Sequence, residues 1–544
     1  MTTVTATDVL VVGAGPVGLT LAADLLRRGV DVRVIDQAPG PASTSRATSI
    51  TPRTLEVLDD LGVAGALVDT GVRITDTEAY AGASLTFRIS FPPTDTTRFP
   101  FLLNTSQRRT EEVLTDLVAT SGGCVERDRR LIGFRQERDG VVVQVAGPRV
   151  SEEIRAGWVV GADGGRSTVR RTLGLPFRGT GADLEETIVL ADVLLDRDLA
   201  PDRIYSWFNE DGALLAFPFS ESGRWRVTAA LSPEEMATGR FTKDSLGRFT
   251  ELYRRRTGDD ETRLSDMQGF SVYRVNQRVV DHYRRGRVVL AGDAAHVHTP
   301  AGGLGMNTGI QDAYSLGWRL ALALTGGDDR VVDDYERERR PIAEGLLTST
   351  GGLQRLYGIR DRRVQRARDA TLRTLLDLGP LRRAFFLRAA QLDITYATAR
   401  RWPWQRGVGV GDRVPDGPVR RRPDGRPTWL HEHLRGPRPA LVLLHGAPPT
   451  RDDRTALDGP ATRAAGLGVP VLRVITADDG VAGTDAGVTT LIDAGGTVHR
   501  RFGVATPAAV VVRPDAHVAL VAAAHRGADV ESALRDLWID PVRV

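Results

Sequence analysis

The chain has 544 residues, of which 41% are hydrophobic and 26% are charged, a composition typical of a globular protein of roughly two to four domains. Its net charge is only +3 and no basic run is interleaved with aromatic residues, which argues against nucleic-acid binding. With a single cysteine, Cys124, it has neither a disulfide framework nor a thiolate metal site. No signal peptide or apolar stretch of transmembrane length is visible, so we expect a cytosolic protein that does not bind a membrane.

The N-terminal elements predict a dinucleotide site. An apolar strand over Val9 to Val12 precedes the motif Gly13-Ala14-Gly15-Pro16-Val17-Gly18, a helical pattern and a second strand that ends at Asp36. The glycines allow a tight turn, close approach of a pyrophosphate and close packing of the helix on the strand. Asp36 has the spacing of a ribose-binding carboxylate, and because it would repel a 2′-phosphate it favours FAD or NAD over NADP at this site. The predicted contacts are Gly13, Gly15, Pro16, Val17, Gly18, Asp36 and Gln37.

The middle of the chain contains another glycine-rich turn after a strand. It also contains a region whose hydropathy pattern differs from that of the nucleotide-binding elements. Residues 72–103 have strand-like patterns, and a helix is predicted from Asn104 to Leu117. A buried strand around Trp158 to Val160 then leads into Gly161-Ala162-Asp163-Gly164-Gly165-Arg166-Ser167 and a helix. Residues 186–275 alternate apolar and polar side chains, which predicts an antiparallel sheet inserted between two parts of a nucleotide-binding domain.

The stretch from Arg287 to Asn307, RVVLAGDAAHVHTPAGGLGMN, completes that domain. A short buried strand ends at Gly292-Asp293, and a glycine-rich turn leads into an amphipathic helix. An aspartate at a strand end, with glycines at a helix start, suits a polyol or a phosphate, although an ordinary glycine-rich turn would have the same pattern. His296 and His298 have no clustered partner ligands, so we predict no metal site there.

The C-terminal third predicts a small separate α/β domain. Residues 343–400 are rich in leucine and arginine and predict helices, whereas residues 405–427 resemble a linker. Strand patterns at 440–444, 469–475 and 508–512 have helical segments between them. The predicted domains are residues 1–185 together with 276–400, residues 186–275, and residues 405–544.

The chain resembles the single-component FAD-dependent aromatic hydroxylases, the group A flavoprotein monooxygenases. Three motifs carry this resemblance: Gly13 to Gly18, Gly161 to Ser167 and Ala291 to Asn307. The likeness spans roughly residues 7–345. The C-terminal part, which includes the motif at residues 511–515, resembles the thioredoxin-like tail of the phenol and polyketide hydroxylase branch. This part has no cysteine, so its expected role is packing or dimerisation. The resemblance implies an α/β fold: a Rossmann-like FAD-binding domain, an inserted antiparallel-sheet substrate domain and a thioredoxin-like C-terminal domain.

The resemblance also implies roles for individual residues. Asp293 would hold the flavin ribitol, Pro300 would lie beside the reactive flavin carbon, and these two are the catalytic candidates. Arg46 and Gln107 match positions near the FAD phosphates and ribitol, with Arg108 or Arg109 as alternatives if the register differs. The remaining implied cofactor contacts are Asp163, Gly164, Gly292, Gly303, Gly305, Met306 and Asn307. The candidate substrate contacts on the inserted sheet are Tyr205, Trp207, Phe217 and Arg226.

The implied reaction uses NADPH or NADH to reduce FAD and O₂ to form a flavin C4a-hydroperoxide, which hydroxylates a phenolic ring. The absence of a narrow polar substrate signature and the long tail favour a polycyclic polyketide, with a simple phenol as second choice. The expected partners are thus the aromatic substrate, NAD(P)H and O₂, and the expected assembly is a monomer or homodimer.

There are three alternatives to aromatic hydroxylation. Baeyer–Villiger oxygenation of a ketone on the same scaffold is not separated from hydroxylation by any sequence feature. A non-catalytic FAD-binding or drug-binding protein is disfavoured by the intact Asp293, Pro300 and glycine-rich loop. A flavin halogenase is disfavoured because the only lysine is Lys243 and Trp402-Pro403-Trp404 is not a halogenase motif.

Overall fold

The computed structural model describes residues 4–42, 47–91, 94–148, 150–179, 187–219, 223–237, 241–299, 303–326, 328–357, 359, 361–397, 407–446, 456–476, 487–524 and 526–537. Among these residues, no helix combines the length and the apolar character needed to cross a membrane. Three large sheets organise this part of the chain.

The first sheet has eight strands and a parallel centre. In spatial order its main path is Arg284–Arg285, Val288–Leu290, Ser151–Gly161, Val4–Val12, Val32–Ile35 and Val125–Glu126. The strands Arg130–Gln136 and Val141–Ala146 extend it antiparallel from Ser151–Gly161. Helices Pro16–Leu26, Gln107–Thr120 and Gly305–Leu324 contribute side chains to its core. Val9, Leu10 and Val11 are all fully buried, as expected for a parallel strand covered on both faces.

The register of this sheet brings four strand ends together. Val12 pairs with Ile35 on one side and with Gly161 on the other, and Gly161 pairs with Leu290. The parallel strands therefore end along one edge, which we call the carboxyl edge. In open α/β sheets ligands bind at this edge.

The second sheet has seven strands, in the order Leu264–Arg274, Thr187–Leu195, Arg224–Leu231, Gly212–Pro218, Arg203–Asn209, Asp76–Ala81 and Ser84–Ser90. Helix Leu246–Thr257 covers one of its faces. The last two strands differ from the sequence analysis, which placed residues 76–90 in the first domain. Asp76–Ala81 pairs in parallel with Arg203–Asn209, and Arg203 Nη1 donates to Glu78 Oε1 at 2.7 Å. Local alternation does not predict a pairing between strands so far apart in the chain.

The third sheet forms the C-terminal α/β unit, again with seven strands. Their order is Pro427–Trp429, Pro418–Arg421, Val488–Ile492, Val471–Ile475, Ala440–Leu444, Ala508–Val512 and Val518–Ala523. Helices Asp458–Gly466, Thr497–Phe502 and Gly527–Leu537 cover it, and two hydrophobic clusters lie on its opposite faces. This mixed α/β architecture agrees with the prediction for the C-terminal third. The likeness of this unit to thioredoxin stays a prediction.

Shorter elements connect the three sheets. Two small three-stranded sheets consist of Ser49–Ile50, Val72–Ile74 and Leu102–Asn104, and of Phe177–Gly179, Arg278–Val280 and His296–Val297. The other α-helices are Pro52–Asp60, Ala64–Val68, Thr168–Thr172, Pro233–Ala237, Arg330–Tyr357, Arg362–Asp377 and Gly379–Ala389. The 3₁₀ turns are Gly292–Ala294 and Leu430–His433.

Candidate functional site

The first turn, residues 13–18, leads directly from the strand Val4–Val12 into the helix that begins at Pro16. Gly13 has φ +109°, and a Cβ atom there would overlap with the carbonyl group of Ala162. A Cβ atom on Gly18 would overlap with the carbonyl oxygen of Gly13. Gly15, in contrast, faces open space, with nothing within 4 Å of its Cβ position. The turn is thus sterically fixed at two glycines and open at the third, beside a helix N-terminus that suits an anion.

Asp36 lies directly beside this turn, at the carboxyl edge. Its Oδ2 accepts a hydrogen bond from the backbone N–H of Ala14 at 2.6 Å, and its Oδ1 accepts one from Ala38 at 2.7 Å. The side chain is partly exposed, and the neighbouring Gln37 is exposed. Because an ionised carboxylate has about four acceptor positions, Asp36 can still accept bonds from ligand hydroxyls.

Gln107 is the first residue of helix Gln107–Thr120, and its Nε2 donates to Glu111 Oε1 at 2.9 Å. Glu111 is buried, which raises its pKa, and its Oε2 accepts from the N–H of Ala42 at 3.0 Å. Arg108 pairs instead with Glu112 at the exposed surface of the helix. Arg46, the other predicted contact in this region, lies outside the described residues.

Asp163 and Gly164 form the turn after the strand Ser151–Gly161. Asp163 Oδ2 accepts from the N–H groups of Thr168 at 2.6 Å and Val169 at 3.2 Å, so the carboxylate caps the following helix. Its Oδ1 is buried and has no hydrogen-bond partner among the described residues. Arg170 ties this turn to the next one, because its guanidinium donates to the carbonyl of Ala294 at 3.0 Å. Sequence analysis identified the motif but missed this contact.

The second turn, residues 291–295, follows the strand Val288–Leu290. Gly292 has φ +59°, and its Cβ position lies 2.8 Å from Val17 Cγ2 of the first turn. The Cβ position of Gly309, in the next helix, lies 2.7 Å from the same methyl group. Asp293 is exposed at this turn. The two turns therefore pack against each other around Val17.

The loop before helix Gly305–Leu324 is held by Asn307. Its Nδ2 donates to the carbonyls of Ser49 and Gly303, both at 2.8 Å, and its Oδ1 accepts from the N–H of Thr51 at 2.9 Å. Gly303 has φ +65°, and Gly305 and Met306 are half-buried. Pro300 lies outside the described residues. Sequence analysis predicted that residues of this loop contact the cofactor, but it did not predict that the Asn307 side chain anchors the loop.

A buried polar cluster, which we call the Asp312 network, supports the second turn. Asp312 Oδ2 accepts from the N–H of Gly292 at 3.2 Å and lies 2.6 Å from His296 Nε2, while its Oδ1 accepts from Arg339 Nε at 2.7 Å. His296 Nδ1 lies 2.8 Å from His298 Nε2. The two histidines are thus part of a hydrogen-bonded chain, and both ring nitrogens of His296 are engaged within it.

The Asp312 network carries charge inside the protein. Burial would raise the pKa of Asp312, but the charges of Arg339 and His296 hold it below its ordinary value. Burial lowers the pKa of His298 well below its ordinary value, so that ring is neutral near pH 7. Sequence analysis missed Asp312 and Arg339 as site residues, although Asp312 is the only acidic residue of helix Gly305–Leu324.

The candidate substrate residues lie on opposite faces of the second sheet. Tyr205 and Trp207 are buried against helix Leu246–Thr257. Trp207 contacts Tyr253 of that helix and stacks on Tyr80, and the ring of Tyr205 lies tilted 6.2 Å from the ring of Tyr80. The prediction that they face the substrate therefore differs from their observed position. Successive strand residues point to opposite faces, and the alternating pattern alone does not indicate which face meets the cofactor domain.

Phe217 and Arg226 pair directly across neighbouring strands on the other face. The Arg226 guanidinium binds both oxygens of Asp192, at 2.7 and 2.8 Å, and donates to the carbonyl of Ala47 at 3.2 Å. This face therefore approaches the segment that leads to Ser49 and the Asn307 anchor. Of the four candidates, these two are placed toward the carboxyl edge.

One group of possible metal ligands, Glu56, Asp416 and His431, lies close together among the described residues. Glu56 Oε2 already accepts from Arg413 Nε at 2.8 Å and from Arg53 Nη1 at 3.2 Å. Burial would raise the pKa of Glu56, but the charge of Arg413 and its neighbours lowers it to about 2. Two guanidinium groups at this carboxylate oppose a metal cation electrostatically.

Comparison with known proteins agrees with this architecture. The profile of the family described as "FAD binding domain" matches residues 6–350. The chain is 35% identical to 6-methylpretetramide 4-monooxygenase of Streptomyces rimosus, over 94% of this chain and 90% of the relative. The solved structure of anhydrotetracycline hydroxylase from Streptomyces rimosus gives a TM-score of 0.75 at 31% identity, over 98% of this chain and 100% of that chain. Aklavinone-11 hydroxylase, solved with FAD and aklavinone, gives a TM-score of 0.74 at 28% identity, over 98% of each chain.

These matches extend through the C-terminal sheet as well as the cofactor domain. They confirm the predicted family, fold class, cofactor and enzyme class. The chain belongs to the FAD binding domain family and is a flavin-dependent aromatic monooxygenase.

Proposed function

We propose that this enzyme uses NAD(P)H and O₂ to hydroxylate a phenolic, polycyclic polyketide. The observation that carries the proposal is the contact between the two turns around Val17. This contact brings Gly292, the neighbour of Asp293, against the first turn, which supports a single FAD site that includes both turns at the carboxyl edge. The polyketide substrate class is supported by relatives of nearly full length whose names refer to 6-methylpretetramide and anhydrotetracycline.

The residues of this edge fit FAD. Gly15 leaves open space for a pyrophosphate, and Asp36 retains acceptor capacity for ribose hydroxyls. The unpartnered buried Oδ1 of Asp163 can accept a further hydrogen bond. We assign the ribitol to Asp293 and the flavin ring to the region before helix Gly305–Leu324. Pro300, Arg46 and Gln107 remain proposed contacts.

FAD, when bound, supplies electron transfer from the nicotinamide and the activation of O₂. The protein's own part is to orient the cofactor and the substrate and to exclude water from them. The N-terminus of helix Gly305–Leu324 has N–H groups and a positive dipole end, which would stabilise negative charge on the pyrimidine part of a bound flavin. Asn307 holds the start of this helix in place through Ser49 and Thr51.

The face of the second sheet that carries Phe217 and Arg226 is the proposed wall of the substrate space. Phe217 is half-buried and packs near Phe386 and Ile204, which gives an apolar surface suited to an extended aromatic ring system. Arg226 is already engaged by Asp192, so we assign it a role in fixing the wall rather than in proton transfer. In domain terms, we assign FAD binding to residues 1–185 and 276–400 and the substrate wall to residues 186–275 with the added strands at 76–90.

Anaerobic reduction of the purified flavoprotein tests the proposal. NADPH and NADH are each mixed with the enzyme in the presence of simple phenols or polycyclic phenols and quinones, and O₂ is then admitted. We expect one polycyclic compound to accelerate flavin reduction and to be recovered one oxygen heavier.

Product structure then distinguishes a ring hydroxyl from the ester of a Baeyer–Villiger oxygenation. If neither nicotinamide reduces the flavin with any compound, the catalytic proposal is wrong and a binding role is favoured. A cytosolic location and a monomeric or homodimeric state stay predictions.

A further inference from the structure

The C-terminal sheet lies against the helices that support the second turn. Arg513 binds both carboxylate oxygens of Glu338, at 2.7 and 2.9 Å, and Asp515 Oδ2 accepts from Trp318 Nε1 at 3.2 Å. Trp318 belongs to helix Gly305–Leu324 and Glu338 to helix Arg330–Tyr357. Asp515, Trp318 and their bonded atoms are buried. The contact is therefore specific and largely withdrawn from water.

Tyr396 connects this contact to the interior. Its ring stacks on His517 of the C-terminal segment, by which we mean the described part of residues 407–537, with ring centres 4.1 Å apart. Its backbone N–H donates to the carbonyl of Gly411 in the same segment at 2.8 Å. Its hydroxyl oxygen accepts a hydrogen bond from Arg339 Nη1 at 3.2 Å. The phenol is thus held by the C-terminal segment on one side and bound to the Asp312 network on the other.

Arg339 continues the chain of contacts to the second turn. The guanidinium is fully buried and donates through Nε to Asp312 Oδ1 at 2.7 Å and through Nη2 to the carbonyl of Thr308 at 3.1 Å. Asp312 in turn accepts from the N–H of Gly292. Successive contacts therefore run from His517 through Tyr396, Arg339 and Asp312 to Gly292.

We propose that Tyr396, Arg339 and Asp312 are positioning residues through which the C-terminal segment, residues 407–537, holds the second turn in the geometry that binds FAD. This inference rests on the proposed placement of FAD at the second turn. It gives the cysteine-free C-terminal segment a task within the flavin site. None of the three residues needs to touch the cofactor, since each acts through the next.

The planarity of the guanidinium explains why the Tyr396 hydroxyl matters. The three guanidinium nitrogens of Arg339 are rigidly linked and each has its own acceptor, so losing one acceptor changes the restraint on the other two. Without the hydroxyl, Arg339 keeps Asp312 and Thr308 but loses its link to the C-terminal segment. We expect the N–H of Gly292 and the adjacent Asp293 to be held less tightly, and FAD affinity to fall by about 3- to 10-fold.

The test compares Tyr396→Phe with Tyr314→Phe in the full chain. Tyr314 is a matched control because its buried hydroxyl also reaches the C-terminal segment, at 3.1 Å from the carbonyl of Pro514, but bonds to Asp60 rather than to the Asp312 network. Apoprotein is titrated with FAD, and quenching of flavin fluorescence gives the Kd. Urea unfolding of each apoprotein measures the loss of stability separately.

We expect Tyr396→Phe to weaken FAD binding and to broaden the visible absorption bands of the bound flavin, while Tyr314→Phe changes only the unfolding midpoint. In an Asp312→Asn background, Tyr396→Phe should have no further effect on Kd. Equal Kd values for the two tyrosine variants, or fully additive losses with Asp312→Asn, would overturn the inference. Because no nicotinamide, O₂ or substrate is present, failure of the hydroxylase proposal would leave this result unaffected.

Discussion

The two turns at the carboxyl edge are both rich in glycine, but their glycines are required for different reasons. In the first turn, added Cβ atoms on Gly13 and Gly18 would overlap with backbone carbonyl groups. At the second turn, added Cβ atoms on Gly292 and Gly309 would instead meet the side chain of Val17. The first turn is thus constrained by the main chain, and the second chiefly by one neighbouring side chain, with Gly292 Cα a further 3.2 Å contact for a Cβ atom on Gly309.

The two turns also differ in their support. The hydrogen bonds that fix the first turn come from the adjacent strands, as when Gly13 N–H donates to the carbonyl of Ile35 at 2.8 Å. The second turn has an equivalent bond, from the N–H of Ala291 to the carbonyl of Gly161 at 3.0 Å. It depends in addition on Asp312 and, through it, on Arg339 and Tyr396, far along the chain. Local spacing therefore reveals the supports of the first turn, whereas it does not reveal the distant side chains that support the second turn. We therefore expect distant substitutions to alter the second turn more than the first.

The largest expected effect is that of Gly18→Ala. The new methyl group overlaps with a backbone carbonyl that no rotamer change can move, so we expect the free energy of unfolding to fall by about 3 kcal/mol. The purified protein should lose its bound FAD. Flavin content and urea unfolding of the apoprotein measure the two losses.

Gly15→Ala is the control for that result, because its Cβ atom would enter open space and its φ of −81° is accessible to alanine. We expect the apoprotein to keep its stability to within about 1 kcal/mol. FAD should nevertheless bind roughly tenfold more weakly, since the methyl group keeps the pyrophosphate from the backbone N–H groups. A stable Gly18→Ala apoprotein would contradict the steric account of the first turn.

A smaller effect is expected for Gly309→Ala, and this one should be reversible. Alanine is intrinsically better than glycine in a helix interior by about 1 kcal/mol, but here its methyl group would press on Val17. We expect a net destabilisation of about 1 to 2 kcal/mol in the parent protein. In a Val17→Ala background the same substitution should be close to neutral.

Urea unfolding of the parent, both single variants and the double variant completes this thermodynamic cycle. Contacting residues couple, whereas independent sites add to within about 0.5 kcal/mol. Additivity of Gly309→Ala and Val17→Ala would therefore show that Val17 does not set the space at the second turn. No equivalent rescue is expected for Gly18→Ala.

The sequence was sufficient for what depends on local spacing. Gly13, Gly18 and Asp36 lie as the βαβ pattern predicts, because the strand, turn and helix that place them are contiguous. The same reasoning located the second turn through its strand and its glycines. It also predicted three sheet regions, since alternating and continuous apolar patterns report local burial.

What the sequence did not reveal depends on tertiary contacts. Nothing local marks Arg339 as the partner of Asp312, or Tyr396 as the partner of Arg339. Tyr205 and Trp207 were placed on the substrate side because strand alternation gives two faces without saying which one meets the cofactor domain. Such assignments depend on how separate elements pack together.

The smallest predicted effect concerns His517, at the far end of the contacts that support the second turn. Burial lowers the pKa of His517 to about 4, against the opposing charge of Asp515, from an ordinary value of 6.5. Between these two values the unfolded chain binds a proton that the folded protein does not. Stability therefore rises with pH across this window and is lost as pH falls, by about 1 kcal/mol from this one residue at pH 5.5.

His517→Phe isolates this contribution. The variant keeps a ring against Tyr396 and removes the Nε2 atom, which has no hydrogen-bond partner among the described residues. It also removes Nδ1, which lies 3.0 Å from the carbonyl oxygen of Asp515, and the loss of this contact lowers stability at both pH values. Other buried groups, such as His298, titrate in both proteins and cancel in the difference between them. Urea unfolding at pH 7.5 and pH 5.5 should show a smaller pH-dependent loss of stability in the variant. Equal losses in the two proteins would mean that His517 is solvated and charged. The stacked contact between His517 and Tyr396 would then not be rigid enough to support the second turn through Arg339 and Asp312.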